Sequence, residues 1–474
     1  MTSSLSGKVL RGAAIISFFT AISKLLGFVQ KVVLAHCFGT GMQADAFVLV
    51  YSSVISTFFM VPQNLLAAFL PLFAERKEKA GEPEAWRFAS SVGTIVVIVM
   101  AAAAAAGVIW APSLVALMSS FKSPETSDLA TVLTCIMIPA ALFMGAFYLC
   151  MLILNSYKRF ALPALGDTLN KAMAIGLLIL LYRSMGIQGL AIGVVAGALV
   201  SLSLQLFGLR EKLGMARLSV DWKDPMLRKF GLLLPPILVA ILIAQTRTIL
   251  DYKFASGMGA GYTSSLNYAR GLTDTMILMV PIAFGQAIYP FFADLSAQGD
   301  RAKLGDALMR SVRLMSFVFI PVSVVFMTLS TPIVQLIFQR GKFAMESVEL
   351  TAGPLVYYSA GLTFFAIEII LLRFYFSVKD TLTPAVVGIA CVFIHVGVVL
   401  SFRHIMAHQS MALAATVSKV AKVAVLLWFL RFKAFELQAG RNLAFVLKSL
   451  VSAACMAGAV YLLFRATTGI LPVP

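Results

Sequence analysis

The sequence predicts an all-α polytopic membrane protein of about 13 transmembrane helices, arranged as two parallel six-helix repeats, an N-lobe and a C-lobe, followed by one C-terminal helix. Three observations carry this. Hydrophobic residues make up 60% of the 474 and charged ones only 12%, at a mean hydropathy of +0.92, which is more apolar surface than a soluble chain of this length buries in one core. The apolar runs exceed the roughly 20 residues a helix needs to span the hydrocarbon, and none alternates with the period of barrel strands. The two halves of the chain also repeat one another at a nearly constant offset.

In chain order, the first half offers spans at about 12–36, 44–73, 88–118, 127–155, 161–182 and 187–209, then a basic loop to about 226. The second half offers about 228–252, 263–292, 306–338, 348–377, 382–402 and 410–431, and a thirteenth span follows at about 443–465. The expected domains are residues 1–218 for the N-lobe with helices 1–6 and the basic loop, 219–436 for the C-lobe with helices 7–12, and 437–474 for the extra helix and tail. The terminal Gly469-Ile470-Leu471-Pro472-Val473-Pro474 is too short to cross again.

The repeat rests on matched segments. Leu70-Pro71-Leu72-Phe73-Ala74-Glu75 recurs as Tyr289-Pro290-Phe291-Phe292-Ala293-Asp294, and 290 − 71 gives 219. Ser156-Tyr157-Lys158 with Pro163 recurs as Ser377-Val378-Lys379 with Pro384, and 384 − 163 gives 221. The Gly39-Thr40-Gly41 turn has its expected counterpart in Gly257-Met258-Gly259, where 257 − 39 gives 218. Each repeat holds an even number of spans, so both enter the membrane in the same sense, a plan that leaves a cavity at the repeat interface and permits alternating access.

The net charge of +17 does not point to nucleic acid, because the basic residues lie in short loops between spans and form no aromatic-interleaved patch. Loops on the N-terminal side carry roughly three times as many Lys and Arg as the opposite ones, which places the N-terminus in the cytoplasm and, with an odd span count, the C-terminus outside. Arg76, Lys77, Lys79, Lys158, Arg159, Arg210, Lys212, Arg217 and Lys223 lie on the basic side, and Arg340 and Lys342 are the clearest exceptions. Cys37, Cys135, Cys150, Cys391 and Cys455 show no metal-ligand or disulfide spacing and read as small hydrophobes. The long first span lacks a small-residue cleavage site and is expected to stay in the membrane.

Charges inside the spans are the functional signal. Lys, Arg or Asp near a bilayer centre costs about 2.5–3.5 kcal/mol on insertion scales, so a retained one faces a partner or a water-filled path. Lys24, Lys31 and Asp45 occupy the first two spans. For Lys31 and Asp45 the alternative of snorkelling from helix ends beside the Gly39 turn stays open. Asp167 and Lys171, Arg247 and Asp251, and Arg270 and Asp274 stand at i, i+4, where each pair can neutralise itself on one helix face. Arg247 and Arg270 belong to the first two spans of the second repeat, as Lys24 and Asp45 belong to those of the first, so a convergence of cations at the repeat interface is expected. Guanidinium and ammonium groups in such number suit an anion, phosphate above all, and outnumber Asp45, Asp251 and Asp274. Asp251, Glu368 and His395 are candidates for carrying a coupling proton or Na⁺, against the alternative that Glu368 and His395 only satisfy interhelical hydrogen bonds. No HExxH, Walker loop, GxSxG or DxD-type cluster is present, so neither a catalytic centre, a metal site nor a cofactor is expected.

Four motifs, Ile22-Ser23-Lys24-Leu25-Leu26-Gly27-Phe28-Val29, Phe38-Gly39-Thr40-Gly41, Ala44-Asp45-Ala46-Phe47 and Pro71 to Glu75, resemble the opening of the MurJ-type (MviN-like) lipid II flippases of the MOP (multidrug, oligosaccharidyl-lipid, polysaccharide) superfamily. Phe338-Gln339-Arg340-Gly341-Lys342-Phe343 resembles that family's outward loop between the ninth and tenth spans. By this resemblance Lys24 stands for a family arginine and Asp45 for the family aspartate, while Gln30 replaces a second arginine and Lys31 an acid. Thr57 and Phe58 replace an arginine pair, Arg270 is displaced by one position from an eighth-span arginine, and Asp274 stands for a glutamate. The family's fourteenth span has no counterpart here.

The resemblance implies a flippase of the bacterial cytoplasmic membrane that moves an undecaprenyl-pyrophosphate-linked saccharide, lipid II or a related precursor, to the outer leaflet for peptidoglycan or other cell-wall synthesis. Lys24, Gln30, Lys31, Asp45, Arg247, Arg270 and Asp274 would then be the cavity residues, membrane lipids and cell-envelope synthesis enzymes the neighbours, and the membrane potential, H⁺ or Na⁺ the drive. The alternatives are a cation-coupled drug antiporter of the same superfamily, which would need a net acidic lining, and a membrane enzyme that transfers glycans.

Overall fold

The computed structural model describes residues 2–432 together with 445, 448–449, 451–459 and 462, and among these the side chains of all but residues 2–17, Ala67 and Phe432. Of the thirteenth span expected at about 443–465, residues 445, 448–449, 451–459 and 462 are described and are helical, and the rest of the segment 437–474 lies outside the described residues. Among the described residues, 12 helical stretches are long and apolar enough to cross a membrane. The expected all-helical class holds.

The chain divides into two compact units, residues 1–263 and 264–474. The first contains α1 (Thr2–Phe38), α2 (Met42–Leu49), α3 (Ser56–Leu65), α4 (Phe69–Ala80), α5 (Glu82–Ile109), α6 (Ala111–Met118), α7 (Pro124–Met137), α8 (Ala140–Ser156), α9 (Ala161–Met185), α10 (Ile187–Leu209) and α11 (Pro225–Ser256). α12 (Tyr262–Met279) opens the second, followed by α13 (Pro281–Ala297), α14 (Arg301–Thr328), α15 (Ser330–Phe338), α16 (Met345–Ser377), α17 (Leu382–Met406) and α18 (Gln409–Phe432). Compactness and duplication are separate properties. α11 packs on α2, α3 and α5, although its sequence makes it the first helix of the second repeat.

Several spans are jointed, and prolines stand at most of the joints. The second span runs through α2, a widened π turn at Val50–Ile55, α3, a tight 3₁₀ turn at Leu66–Ala68 and α4. The tight turn directly precedes Pro71, whose ring clashes with the i−4 carbonyl of an ordinary helix. Pro112 follows the α5–α6 joint at Trp110, Pro139 lies in the α7–α8 joint, Pro281 follows the α12–α13 joint and Pro332 the α14–α15 joint at Leu329. Two of these joints are repeat partners: 329 − 110 gives 219, and Met60-Val61-Pro62 matches Met279-Val280-Pro281, where 281 − 62 gives 219.

Backbone conformation repeats as well. Lys158 and Lys379, 221 residues apart (379 − 158), both take the left-handed conformation, φ 59° and 61°, just past α8 and α16. The Gly39 turn behaves differently. It turns through φ 60° at Gly39, whereas the linker from α11 to α12 places its positive φ values at Gly259 and Gly261.

In the first unit, α10 lies close against α9 through Gly189, Gly193 and Gly197, a small residue on each turn of one face. A Cβ on Gly197 would stand 2.6 Å from the Asn170 carbonyl oxygen, so only glycine lets the backbones approach there. Ser201 continues the seam and donates to the Gly166 carbonyl at 2.7 Å. At the loop end of this unit, Arg76 bridges Glu84 at 2.8 Å and Asp224 at 2.5 Å. Glu82 accepts from Lys212 at 2.9 Å and from the Tyr157 hydroxyl, which burial beside that carboxylate pushes up to about 12. Part of the basic loop between α10 and α11 is thereby pinned to the ends of α4 and α5. In the second unit, Phe292, Phe319, Phe374 and Tyr375 centre an apolar core shared by α13, α14, α16, α17 and α18.

Candidate anion-binding site

The stretch Lys24 to Asp45 places the candidate residues of α1 and α2 in the first unit. Ser23 and Gln30 are seven residues apart, on one buried face of α1, and the Ser23 hydroxyl donates to Asp167 of α9. Lys24 and Lys31 repeat that spacing one position on, so they present a neighbouring face: Lys24 is exposed and Lys31 half-buried. Asp45 lies in the first turn of α2, is only 1% exposed, and its Oδ2 accepts the backbone N–H of Gly261 at 2.5 Å. That contact ties the start of α2 to the linker after α11, and the aspartate is thus engaged by backbone.

α11 carries Arg247 and Asp251. Gln245 on the same helix donates to the Thr57 hydroxyl at 3.1 Å, which docks α11 on α3. Arg247 is half-buried and Asp251 is 2% exposed; no ion pair joins them among the described residues, contrary to the pairing expected from their spacing. Asp167 and Lys171 also find partners outside their own helix, Ser23 for the aspartate and the Tyr51 hydroxyl, 3.4 Å from Nζ, for the lysine. The third expected pair does form: Arg270 Nε lies 3.6 Å from Asp274 Oδ2 on α12 in the second unit.

The remaining candidates lie elsewhere in the second unit. Glu368 of α16 is buried and receives Lys419 and Lys422 of α18, the latter at 2.7 Å. His395 is buried on α17. A carboxylate held by two ammonium groups already has its counter-ions within the protein, so Glu368 stands in a built ion cluster.

The electrostatic pattern is asymmetric. Along α1, α2 and α11 the acids Asp45 and Asp251 are turned into the protein, while Lys24, Lys31 and Arg247 retain access. The accessible charge of these helices is therefore positive, and on α12 the Arg270–Asp274 pair adds none. Accessible charge of that sign favours an anion over a cation nearby. Ser23 and Tyr51 were not legible as site neighbours, because uncharged residues on an apolar helix give no signal beyond their helical spacing, whereas Thr57 stood out only through the resemblance.

Comparison with known proteins agrees with this plan. A probable lipid II flippase MurJ of Vibrio cholerae is 27% identical over 96% of this chain and 89% of its own length. A lipid II flippase MurJ of Burkholderia cenocepacia is 25% identical over 80% of this chain and 75% of its own. Among solved structures, a lipid II flippase MurJ in an inward closed conformation matches with a TM-score of 0.80, at 24% identity, over 95% of this chain and 92% of that one. An inward-facing multidrug resistance MATE family transporter of the MOP superfamily matches with a TM-score of 0.73, at 14% identity, over 87% and 95%, so the fold is that of these transporters. The model of the family described as lipid II flippase MurJ matches residues 34–472, and the chain belongs to that family.

Proposed function

We propose that this chain flips lipid II, an anionic polyprenyl-pyrophosphate-linked glycan precursor, from the inner to the outer leaflet of the bacterial cytoplasmic membrane by alternating access. Family membership supports the reaction class, and the observation that carries the substrate charge is the contrast along α1, α2 and α11 between accessible Lys24, Lys31 and Arg247 and buried Asp45 and Asp251. A sugar headgroup cannot enter hydrocarbon without losing its hydrogen bonds to water. Cations in a wet cavity hold the pyrophosphate while the polyprenyl tail stays in lipid, and the chain need supply only binding and motion. Lys24, Lys31 and Arg247 of the first unit are the contacts we assign to the pyrophosphate.

The N-terminus lies in the cytoplasm in this reading, which puts the pinned loop around Arg76, Tyr157 and Lys212 on the cytoplasmic side. An inside-negative potential then favours outward movement of an anion by about 2.3 kcal/mol per charge per 100 mV, a sufficient drive without ATP. Glu368, already neutralised by Lys419 and Lys422, is a poorer choice for a diffusible coupling ion than Asp251 or His395. The test is flipping of fluorescent lipid II in proteoliposomes with and without an imposed potential. Flipping that rises with an inside-negative potential and is lost with Lys24→Ala and Arg247→Ala supports the reading. Export of cationic drugs with no movement of lipid II would replace it.

A further inference from the structure

The second unit contains a cleft that the flippase reading does not use. It lies between α13 and α14 and encloses about 390 Å³. One wall is Phe284, Ile288, Phe291 and Leu295, which share a face of α13, and the other is Ala307, Ser311 and Leu314 of α14. From residue 284 to residue 295 the cleft follows its helix for about 16 Å, close to the depth of one hydrocarbon leaflet, about 15 Å. Phe291 is 51% exposed, so the wall is open at the side.

The α14 wall also carries charge: Lys303 near the loop and Arg310 about 10 Å further along the helix, with Asp306 between them. Arg310 bridges Asp306 at 2.7 Å, and Lys303 bridges Asp300 at 2.9 Å, yet both cations keep about three-quarters of their side-chain surface exposed, at 74% and 75%. Asp300 and Asp306 balance the two cations in number, so what the cleft offers an anion is the exposure of Lys303 and Arg310. An apolar slot about one leaflet deep, edged on its α14 side by two exposed cations, is complementary to an anionic amphiphile.

We propose that this cleft is a binding site for an anionic phospholipid, one acyl chain lying along Phe284, Ile288, Phe291 and Leu295 and its phosphate held by Lys303 and Arg310. With the N-terminus inside, the α13–α14 connection lies at the cytoplasmic leaflet, where anionic lipids supply the negative surface potential. The lipid fills a gap between two helices of one unit, so α13 and α14 move as one body when that unit tilts. This site takes an ordinary membrane lipid and is independent of which glycan the protein carries.

The test uses the full chain in nanodiscs doped with a phosphatidylglycerol that bears a photoactivatable group in its acyl chain. Labelled peptides should fall within residues 284–314. Unlabelled phosphatidylglycerol should compete at least tenfold better than phosphatidylcholine. Ile288→Trp, which fills the slot, should abolish this label while labelling at other positions persists. Lys303→Gln with Arg310→Gln, two exposed positions that leave the core intact, should bring the two competitors to parity. Equal competition by both lipids in the native chain would overturn the proposal, as would label displaced by polyprenyl phosphate and not by phosphatidylglycerol, since the slot would then hold the substrate's own tail.

Discussion

Gly186 and Ala407 share one unusual backbone conformation, φ 56°, ψ −130° and φ 47°, ψ −134°, at the joints that lead from α9 to α10 and from α17 to α18. They are 221 residues apart (407 − 186), the offset of the Lys158 and Lys379 pair, so the two units turn the chain in the same way at the same place. Glycine adopts this region freely. An L-residue is strained there by about 1–3 kcal/mol. Ala407→Gly should therefore stabilise the protein by about 1 kcal/mol, and Gly186→Ala should destabilise it by at least as much. Thermal unfolding in detergent checks both; a lower Tm for Ala407→Gly would show that its methyl group matters more than its backbone.

Glu368 offers a second test, because its carboxylate is shared between Lys419 and Lys422. Removing one partner of a buried ion pair costs about 3–5 kcal/mol, chiefly for the charge left behind. Glu368→Ala leaves two ammonium groups within one cluster and should destabilise more than Lys422→Ala, which leaves Glu368 with Lys419. Equal loss of Tm in the two variants would contradict the shared-carboxylate geometry.

These residues also show where the sequence stops being informative. The spans were readable because the hydrocarbon imposes length and composition on every helix, and the duplication because two copies meet the same physical demands at Pro71 and Pro290 or at Lys158 and Lys379. Side-chain pairing was not. Spacing shows who can meet on one helix, and it anticipated Arg270 with Asp274, but Asp167 turns to Ser23 of α1 and Lys171 to Tyr51, contacts set by how α1, α2 and α9 pack. Likewise Lys419 and Lys422 are visible as neighbours on one face of α18, whereas the carboxylate opposite them, on α16, is fixed only by tertiary structure.

His408, in the short link between α17 and α18, gives a pH prediction. It is 3% exposed, with Nε2 donating to the Leu350 carbonyl at 2.7 Å, and burial holds its imidazole down to about 4 from the ordinary 6.5. The unfolded chain binds this proton more readily, so stability is intact above pH 6.5 and declines as the pH falls toward 4. The full difference is about 3 kcal/mol, of which about 2 is lost by pH 5. Tm measured from pH 7.5 to pH 5 should fall less in His408→Gln, which keeps a donor for Leu350 and does not titrate. Parallel curves would place the acid sensitivity elsewhere.

Asp45 and Lys24, which the resemblance assigns to family positions, should separate into different roles. The Asp45 carboxylate is buried on the Gly261 N–H, and a buried hydrogen bond to a charged group is worth about 1.5–3 kcal/mol. Asp45→Ala should lower Tm, and Asp45→Asn, whose amide oxygen still accepts from Gly261, should recover most of the loss. Lys24 and Arg247 have access and no such backbone duty, so Lys24→Ala and Arg247→Ala should leave Tm nearly unchanged while flipping of lipid II at subsaturating substrate falls about tenfold each, the loss of one charge-assisted bond to phosphate. Charge reversal at Lys24, Lys24→Glu, should be more severe than alanine, because repulsion is added to the lost contact. If instead Asp45→Asn abolished flipping at full Tm while Lys24→Ala was silent, the carboxylate would be the working group of this site and the cations its structural support.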